Sequence, residues 1–141
     1  MKISKEFDWE MAHRLLDHES GCRNMHGHSY RMELEIEGEP DESGMIVDFD
    51  QVSKILRPLI AELDHSFLCD ERDAVLIAFL REQDMKHKVV PFRTTVENLC
   101  TYFAGHLQTA LAPISNVQGF SMRIYETARN SAVVDVKLRE E

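Results

Sequence analysis

The sequence predicts an α+β domain in which helices pack on one face of an antiparallel sheet. Both ends of the chain alternate between apolar and polar residues, which is typical of strands with one buried face. Between them, apolar residues recur at the three- and four-residue spacing of amphipathic helices. Strands on either side of a helical block give the order β-β-α-α-β-β, with a hairpin at each end. The length of 141 residues fits a single domain spanning residues 1–141.

The first hairpin is predicted from two alternating segments. The first segment, broken once by Lys5, places four apolar residues at odd positions: Ile3, Phe7, Trp9 and Met11. The second segment alternates between apolar and charged residues from Tyr30 to Glu37, which predicts a strand with one face toward the core. The turn residues of "GEPDESG", from Gly38 to Gly44, end this strand.

The helical block is predicted to begin near Asp48, which forms a capping-box-like pair with Gln51. Apolar residues at helical spacing then run from Phe49 to Leu63. Pro58 lies inside this pattern and predicts a kink or a break in the helix, because proline lacks the N–H that the helix interior requires.

The second half of the chain contains two more helical segments and a second hairpin. A short helix is predicted from Asp73 to Gln83, and a short extended piece ends at Phe92. A longer helix begins at Thr95, a favourable N-cap residue, and ends before Pro113. Two strands then close the chain, one with Phe120, Met122 and Ile124 on one face and one formed by "AVVDVKL".

Composition and charge exclude several classes of protein. The net charge is -9 and no basic stripe is present, so a nucleic-acid partner is not expected. The longest apolar run, "AVLIAFL", is too short to cross a bilayer, and the N-terminal "MKISKEFDWE" lacks the apolar centre of a signal peptide. Three scattered cysteines do not form a disulfide framework. We therefore expect a cytoplasmic protein with no membrane partner.

Three histidines share the parity of the buried strand positions. His26 and His28 precede Tyr30 by even numbers of residues, so they share the buried face of the second strand. His13 follows Met11 by two residues and shares the buried face of the first. Three imidazoles suit Zn²⁺ and leave a fourth position open, as in catalytic zinc sites. Alternatively, each histidine is a hydrogen-bonded core or loop residue, since H-x-H alone is a weak signal. His18 is the best substitute ligand.

Cys22 lies in the polar loop "ESGCRN", four residues before His26. A thiol beside a metal or a cationic group ionises readily, so Cys22 is a candidate general base. It is equally a candidate fourth ligand, which would close a structural Cys-His₃ zinc site. The spacing alone does not separate these two roles.

Two further positions carry groups suited to proton transfer or ligand binding. Asp64 and His65 are adjacent after a helix, and a carboxylate can orient an imidazole, although such pairs also occur as caps or surface pairs. Glu126 continues the parity of the buried residues in its strand, where a carboxylate needs a partner. A planar heterocycle with adjacent N–H donors would be such a partner, as would water or Arg129.

These residues lie in six motifs whose order resembles that of the 6-pyruvoyltetrahydropterin synthase family: "EMAHRL", "CRNMHGHSY", "DFDQV", "LDHSFL", "TVENL" and "YET". The resemblance covers nearly the whole chain. It is nearest to the family's bacterial branch, the 6-carboxytetrahydropterin synthases of queuosine biosynthesis, in the three-residue gap between Cys22 and His26. The segment from Glu71 to Phe92 is longer than in some relatives, and Arg93-Thr94 replaces their Asn-Pro.

The resemblance implies a metal and a catalytic thiol. His13, His26 and His28 match the family's three zinc ligands, and Cys22 matches its catalytic cysteine. The cofactor implied is Zn²⁺.

The resemblance also implies the residues that surround the substrate. Asp64 and His65 match the acid–base pair of the family. Glu126 matches the glutamate that anchors the pterin ring, and Thr95 lies in a stretch that matches one lining the pterin pocket.

The fold and reaction implied by the resemblance are specific. The fold is the tunnelling fold, in which three subunits form a barrel and two trimers stack into a homohexamer with active sites between subunits. The reaction is a zinc-dependent lyase step that converts 7,8-dihydroneopterin triphosphate to 6-carboxytetrahydropterin, acetaldehyde and triphosphate. Two alternatives remain: a 6-pyruvoyltetrahydropterin synthase, and a zinc-stabilised pterin-binding module without turnover.

Overall fold

The computed structural model describes residues 1–139, which form six strands, three α-helices and a short 3₁₀ helix at Gly21–Arg23. The strands are β1 (Lys2–His13), β2 (His26–Gly38), β3 (Ser66–Asp70), β4 (His87–Val90), β5 (Val117–Tyr125) and β6 (Ser131–Lys137). The helices are α1 (Phe49–Leu63), α2 (Ala74–Glu82) and α3 (Val96–Leu111).

All six strands belong to one sheet with the order β4-β3-β1-β2-β5-β6. The four longest strands, β1, β2, β5 and β6, are antiparallel neighbours and form the two predicted hairpins. The outer strands β3 and β4 pair in parallel with β1 and with each other, so the predicted antiparallel sheet is the larger part of a mixed sheet.

Strand β3 is absent from the sequence prediction, and its burial explains why. Leu68 packs into the main core, while its neighbour Cys69 packs against α2 on the other side of the sheet. A five-residue strand buried on both faces shows no alternation between apolar and polar residues. Helices α1 and α3 therefore cover the predicted face, and α2 covers part of the opposite one.

Helix α1 runs without interruption from Phe49 to Leu63, so the break predicted at Pro58 is absent. Pro58 and Lys54 are both exposed, and water can therefore satisfy the Lys54 carbonyl that loses its helical partner. Asp48 is confirmed as the N-cap, but its side chain accepts a hydrogen bond of 2.8 Å from the Asp50 amide and not from Gln51, its predicted partner.

The main core lies between the sheet and helices α1 and α3. Trp9 of β1 stacks on Tyr30 of β2 with ring centroids 5.5 Å apart, and it also contacts Phe103 of α3. The alternation of β1 and β2 turns these side chains inward and leaves the charged residues between them on the opposite face. None of the helices within residues 1–139 combines the length and apolar character that a membrane crossing requires.

Candidate active site

The three predicted histidines meet at the closed end of the first hairpin. His13 ends β1 and His26 begins β2, and the two residues are directly paired; His28 is paired with Met11. Because their parity matches that of the core residues, all three imidazoles project to the helix-covered face. One nitrogen from each ring lies within 4.8 Å of the other two.

Backbone carbonyls fix the orientation of two of these rings. The Nδ1 of His13 lies 2.7 Å from the Thr94 carbonyl, and the Nδ1 of His26 lies 2.7 Å from the Asn24 carbonyl. A carbonyl only accepts, so each Nδ1 carries the proton and each Nε2 keeps a free lone pair. The His13 Nε2 is buried and has no hydrogen-bond partner, which is the state of a nitrogen suited to a metal ion.

Burial keeps the imidazoles of His13 and His28 neutral. It lowers the pKa of His13 to about 4, against a smaller rise from the Thr94 hydrogen bond. Burial also lowers the pKa of His28, and the nearby charge of Glu126 opposes that shift. Neutral imidazole is the form that binds metals, so the cluster is ready to act as a ligand set at neutral pH.

Glu126 lies against this cluster. It follows β5, and its Oε1 is 3.4 Å from His13 Nε2 and 3.6 Å from His28 Nε2. Burial raises the pKa of the Tyr30 hydroxyl beneath the site, and the Glu126 charge raises it further. The carboxylate therefore faces two unprotonated ring nitrogens, and a cation bound among these atoms would be the partner that it needs.

Cys22 lies in the loop between β1 and β2, in the 3₁₀ helix, and is partly exposed. Its carbonyl accepts a hydrogen bond of 2.8 Å from the Leu15 amide, which ties the loop to the end of β1. Among residues 1–139, the ligand atoms that lie within 4.8 Å of one another are three imidazole nitrogens and no thiol. This arrangement favours an open metal site over the closed Cys-His₃ alternative.

His18, the candidate substitute ligand, lies outside the cluster. Its Nδ1 accepts a hydrogen bond of 3.1 Å from the Ser20 amide and lies 2.7 Å from the Ser20 hydroxyl, and its side chain is exposed. His18 is therefore part of a local turn in the loop.

Asp64 and His65 form a hydrogen-bonded pair just after α1. The His65 Nδ1 lies 3.0 Å from Asp64 Oδ1, which also accepts a hydrogen bond of 2.9 Å from the Glu10 amide. The Glu10 hydrogen bond is the main reason that the pKa of Asp64 is lowered, with a further contribution from His65. The carboxylate is thus held ionised and oriented toward the imidazole, as an acid–base pair requires.

This pair lies across the sheet from the three histidines. His65 borders a cavity of about 320 Å³ together with Glu10 and Ser29, whose side chains alternate with those of Met11 and His28. Alternation places Glu10 and Ser29 on the face opposite the cluster. The side chain of His65 is 77% exposed there, so it is free to meet another molecule.

Thr95 and its neighbour Thr94 have different tasks. Thr95 caps α3, and its hydroxyl accepts a hydrogen bond of 3.3 Å from the Asn98 amide. Thr94 is buried, and besides contacting His13 it donates from its hydroxyl to the Arg14 carbonyl at 3.2 Å. Thr94 was not predicted as a site residue, because a threonine just before an N-cap has no pattern that links it to a residue 80 positions earlier in the chain.

Arg14 extends the support of the cluster toward α2. Its guanidinium makes two hydrogen bonds of 2.6 Å to the carboxylate of Asp73, the buried N-cap of α2. These hydrogen bonds hold the pKa of Asp73 below its usual range. The bidentate ion pair fixes the residue next to His13 and the start of the loop that carries Cys22.

Comparison with known proteins agrees with this geometry. The family model described as "6-pyruvoyl tetrahydropterin synthase" matches residues 2–137. The chain is 37% identical to the 6-carboxy-5,6,7,8-tetrahydropterin synthase of Haemophilus influenzae, over 76% of this chain and 82% of that protein. It is 34% identical to the protein of the same name from Synechocystis sp., over 79% of this chain and 97% of that protein.

Solved structures show the same fold. The 6-pyruvoyl tetrahydropterin synthase of Plasmodium falciparum superposes with a TM-score of 0.75 over 97% of this chain and 98% of that one, at 15% identity. The family match spans both strand pairs and all three histidines of the cluster. The chain therefore belongs to the 6-pyruvoyl tetrahydropterin synthase family, whose tunnelling fold it shares.

Proposed function

We propose that the chain is a zinc-dependent 6-carboxy-5,6,7,8-tetrahydropterin synthase of queuosine (preQ0) biosynthesis that acts in the cytoplasm. The substrate is 7,8-dihydroneopterin triphosphate, and with water it gives 6-carboxytetrahydropterin, acetaldehyde and triphosphate. The observation that carries the proposal is the open cluster of three histidines beside Glu126. The names of the two curated relatives support this product over the pyruvoyl one.

His13, His26 and His28 are the residues that hold the metal, because their free nitrogens converge and one of them is buried without a partner. Nitrogen ligands without a thiolate suit Zn²⁺ in a catalytic site. When bound, the metal makes attached hydroxyl groups of the substrate and their adjacent C–H bonds more acidic.

The chain itself supplies the proton transfers. Cys22 takes up a proton from the substrate side chain. His65, oriented by the ionised Asp64, serves the transfer in the opposite direction. Glu126 accepts hydrogen bonds from the N–H groups of the pterin ring, and Thr95 lies in the segment that lines the ring pocket.

A complete site requires more than one copy of the chain. The metal cluster and the Asp64–His65 pair lie on opposite faces of the sheet, so a neighbouring subunit brings its His65 to the Cys22 of the first. Within residues 1–139, β6 is paired only with β5, and β1 pairs with β3 only at Met11 and Ala12. These two edges are available for barrel closure in a trimer, and two trimers form the homohexamer. No nucleic-acid or membrane partner is involved.

Replacement of Cys22 distinguishes this enzyme from a zinc-stabilised module. We expect Cys22→Ala to keep one zinc per chain and the fold but to lose turnover by a factor of at least about 10². Zinc is measured by metal analysis after purification, and turnover with 7,8-dihydroneopterin triphosphate. Loss of zinc in Cys22→Ala would instead identify a structural Cys-His₃ site.

A further inference from the structure

We propose that Lys86 is a positioning residue for the Asp64–His65 pair, whose catalytic role rests on the function proposed above. Lys86 lies between α2 and β4, far along the chain from the end of α1. Its side chain nevertheless contacts that end of the helix. Lys86 lies outside all six sequence motifs.

The ammonium of Lys86 caps α1. Its Nζ donates hydrogen bonds of 2.7 Å to the carbonyl of Ala61 and 2.7 Å to the carbonyl of Asp64. Carbonyls in the last turn of a helix lack partners within the helix, and their partial negative charge favours a cation. The last turn of α1 contains no basic residue of its own, so Lys86 supplies both the hydrogen bonds and the charge.

The same contact fixes the backbone that presents His65. His65 has a φ of +54°, a left-handed conformation that is unfavourable for a residue other than glycine and must be held by its surroundings. The Asp64 amide donates to the Ile60 carbonyl at 2.8 Å, and the His65 amide donates to the Glu10 carbonyl at 2.7 Å. Those two hydrogen bonds join backbone groups, which a substitution does not remove. The hydrogen bond from Lys86 to the Asp64 carbonyl comes from a side chain, so a substitution can remove it.

Lys86 also connects the pair to the unit formed by β3, α2 and β4. Its carbonyl accepts a hydrogen bond of 3.1 Å from the Phe67 amide of β3, and Phe67 packs on the small core formed with α2. The backbone of Lys86 is therefore anchored to a packed element, and its exposed side chain extends from there to the end of α1. The role we assign to this unit is to hold the end of α1 at the geometry that proton transfer needs.

Lys86→Met tests the proposal, with Lys86→Arg as the conservative variant. Lys88→Met is the matched control, because Lys88 lies in the same unit and pairs with Glu62 of α1. In zinc-loaded protein, we expect Lys86→Met to lower kcat by about tenfold with KM and zinc content unchanged, since a small displacement of a proton-transfer group slows the reaction. Lys86→Arg retains most of the rate, and Lys88→Met is close to wild type.

Amide hydrogen exchange supplies a readout that does not depend on activity. We expect exchange at Asp64 and His65 to become about tenfold faster in Lys86→Met, with no change in Lys88→Met. Unchanged exchange and kcat in Lys86→Met would overturn the proposal. A loss of kcat in Lys86→Met that accompanies a loss of zinc would also overturn it. An equal loss of kcat in Lys88→Met would do the same. If the wild-type protein does not turn over the pterin substrate, the proposed function fails, and the exchange data alone decide the role of Lys86.

Discussion

At the scale of single residues, the histidine cluster depends on partners that lie far away in the sequence. His13 is neutral because it is buried, and it is oriented because the Thr94 carbonyl accepts its Nδ1 proton. Strand parity predicted that His13, His26 and His28 share a face, since side chains alternate along strands. The same parity predicted that Glu126 needs a partner. It could not identify Thr94, because that contact depends on how the start of α3 packs against β1.

The burial of His13 predicts how the stability of the metal-free protein depends on pH. The pKa of His13 is about 4 in the folded chain and about 6.5 in an unfolded one. Between these values the unfolded chain binds the proton and the folded chain does not, so stability falls as the pH falls. We expect the free energy of unfolding to decrease by about 2 kcal/mol from pH 7 to pH 5 through this residue.

Urea denaturation of metal-free protein at the two pH values measures this effect. His13→Gln is the control, because glutamine does not titrate in this range. The wild type should lose more stability on acidification than His13→Gln does. An equal loss in both proteins would show that His13 is not held neutral by burial.

At the scale of secondary-structure elements, the hairpins and the short extended piece that contains β4 were predicted, and β3 was not. β1 and β2 each bury one face, and the resulting alternation is visible in the sequence. β3 is buried on both faces, so its sequence shows no alternation between apolar and polar residues. Of the kink or break predicted at Pro58, the break is absent, because the missing hydrogen bond lies on an exposed side of α1.

In the β5–β6 hairpin, the backbone of Val136 lies too close to Gly119 to leave room for a side chain there. A Cβ added at Gly119 would lie 2.5 Å from the Val136 carbonyl oxygen, across the pair of strands. Because backbone cannot move aside cheaply there, we expect Gly119→Ala to lower the free energy of unfolding by about 2 kcal/mol. Urea denaturation measures the change.

Gly105 of α3 is the matched control for Gly119. It is exposed, and no heavy atom lies within 4 Å of an added Cβ. Gly105→Ala should therefore raise stability by up to about 1 kcal/mol, because alanine favours the helix more than glycine does. A stability change of the same sign in both variants would contradict the role of the close approach at Gly119.

At the scale of the whole molecule, the fold separates two groups that the proposed reaction needs together. The six motifs in the sequence predicted the family. The two hairpins at the ends of the chain predicted most of the sheet. The sequence could not show on which face the Asp64–His65 pair lies, because that depends on the turn at His65 after α1. The turn directs the pair away from the metal cluster, to the face where the proposed function requires a neighbouring subunit.

Subunit complementation tests this separation. Cys22→Ala and His65→Ala should each be inactive alone, because each lacks one proton-transfer group. When the two variants are co-expressed, about a quarter of the shared sites in random assemblies contain both intact residues. We therefore expect the mixture to recover about a quarter of the wild-type turnover. Intact mixed oligomers without recovered turnover would place the whole site within one chain.

The central claim, that this cluster serves a carboxytetrahydropterin synthase, is tested most directly by identifying the product. Zinc-loaded protein is incubated with 7,8-dihydroneopterin triphosphate, and the products are analysed by mass spectrometry. The account predicts 6-carboxytetrahydropterin together with equal amounts of acetaldehyde and triphosphate. A pyruvoyl product without acetaldehyde, or no turnover by protein that holds zinc and is correctly assembled, would contradict it.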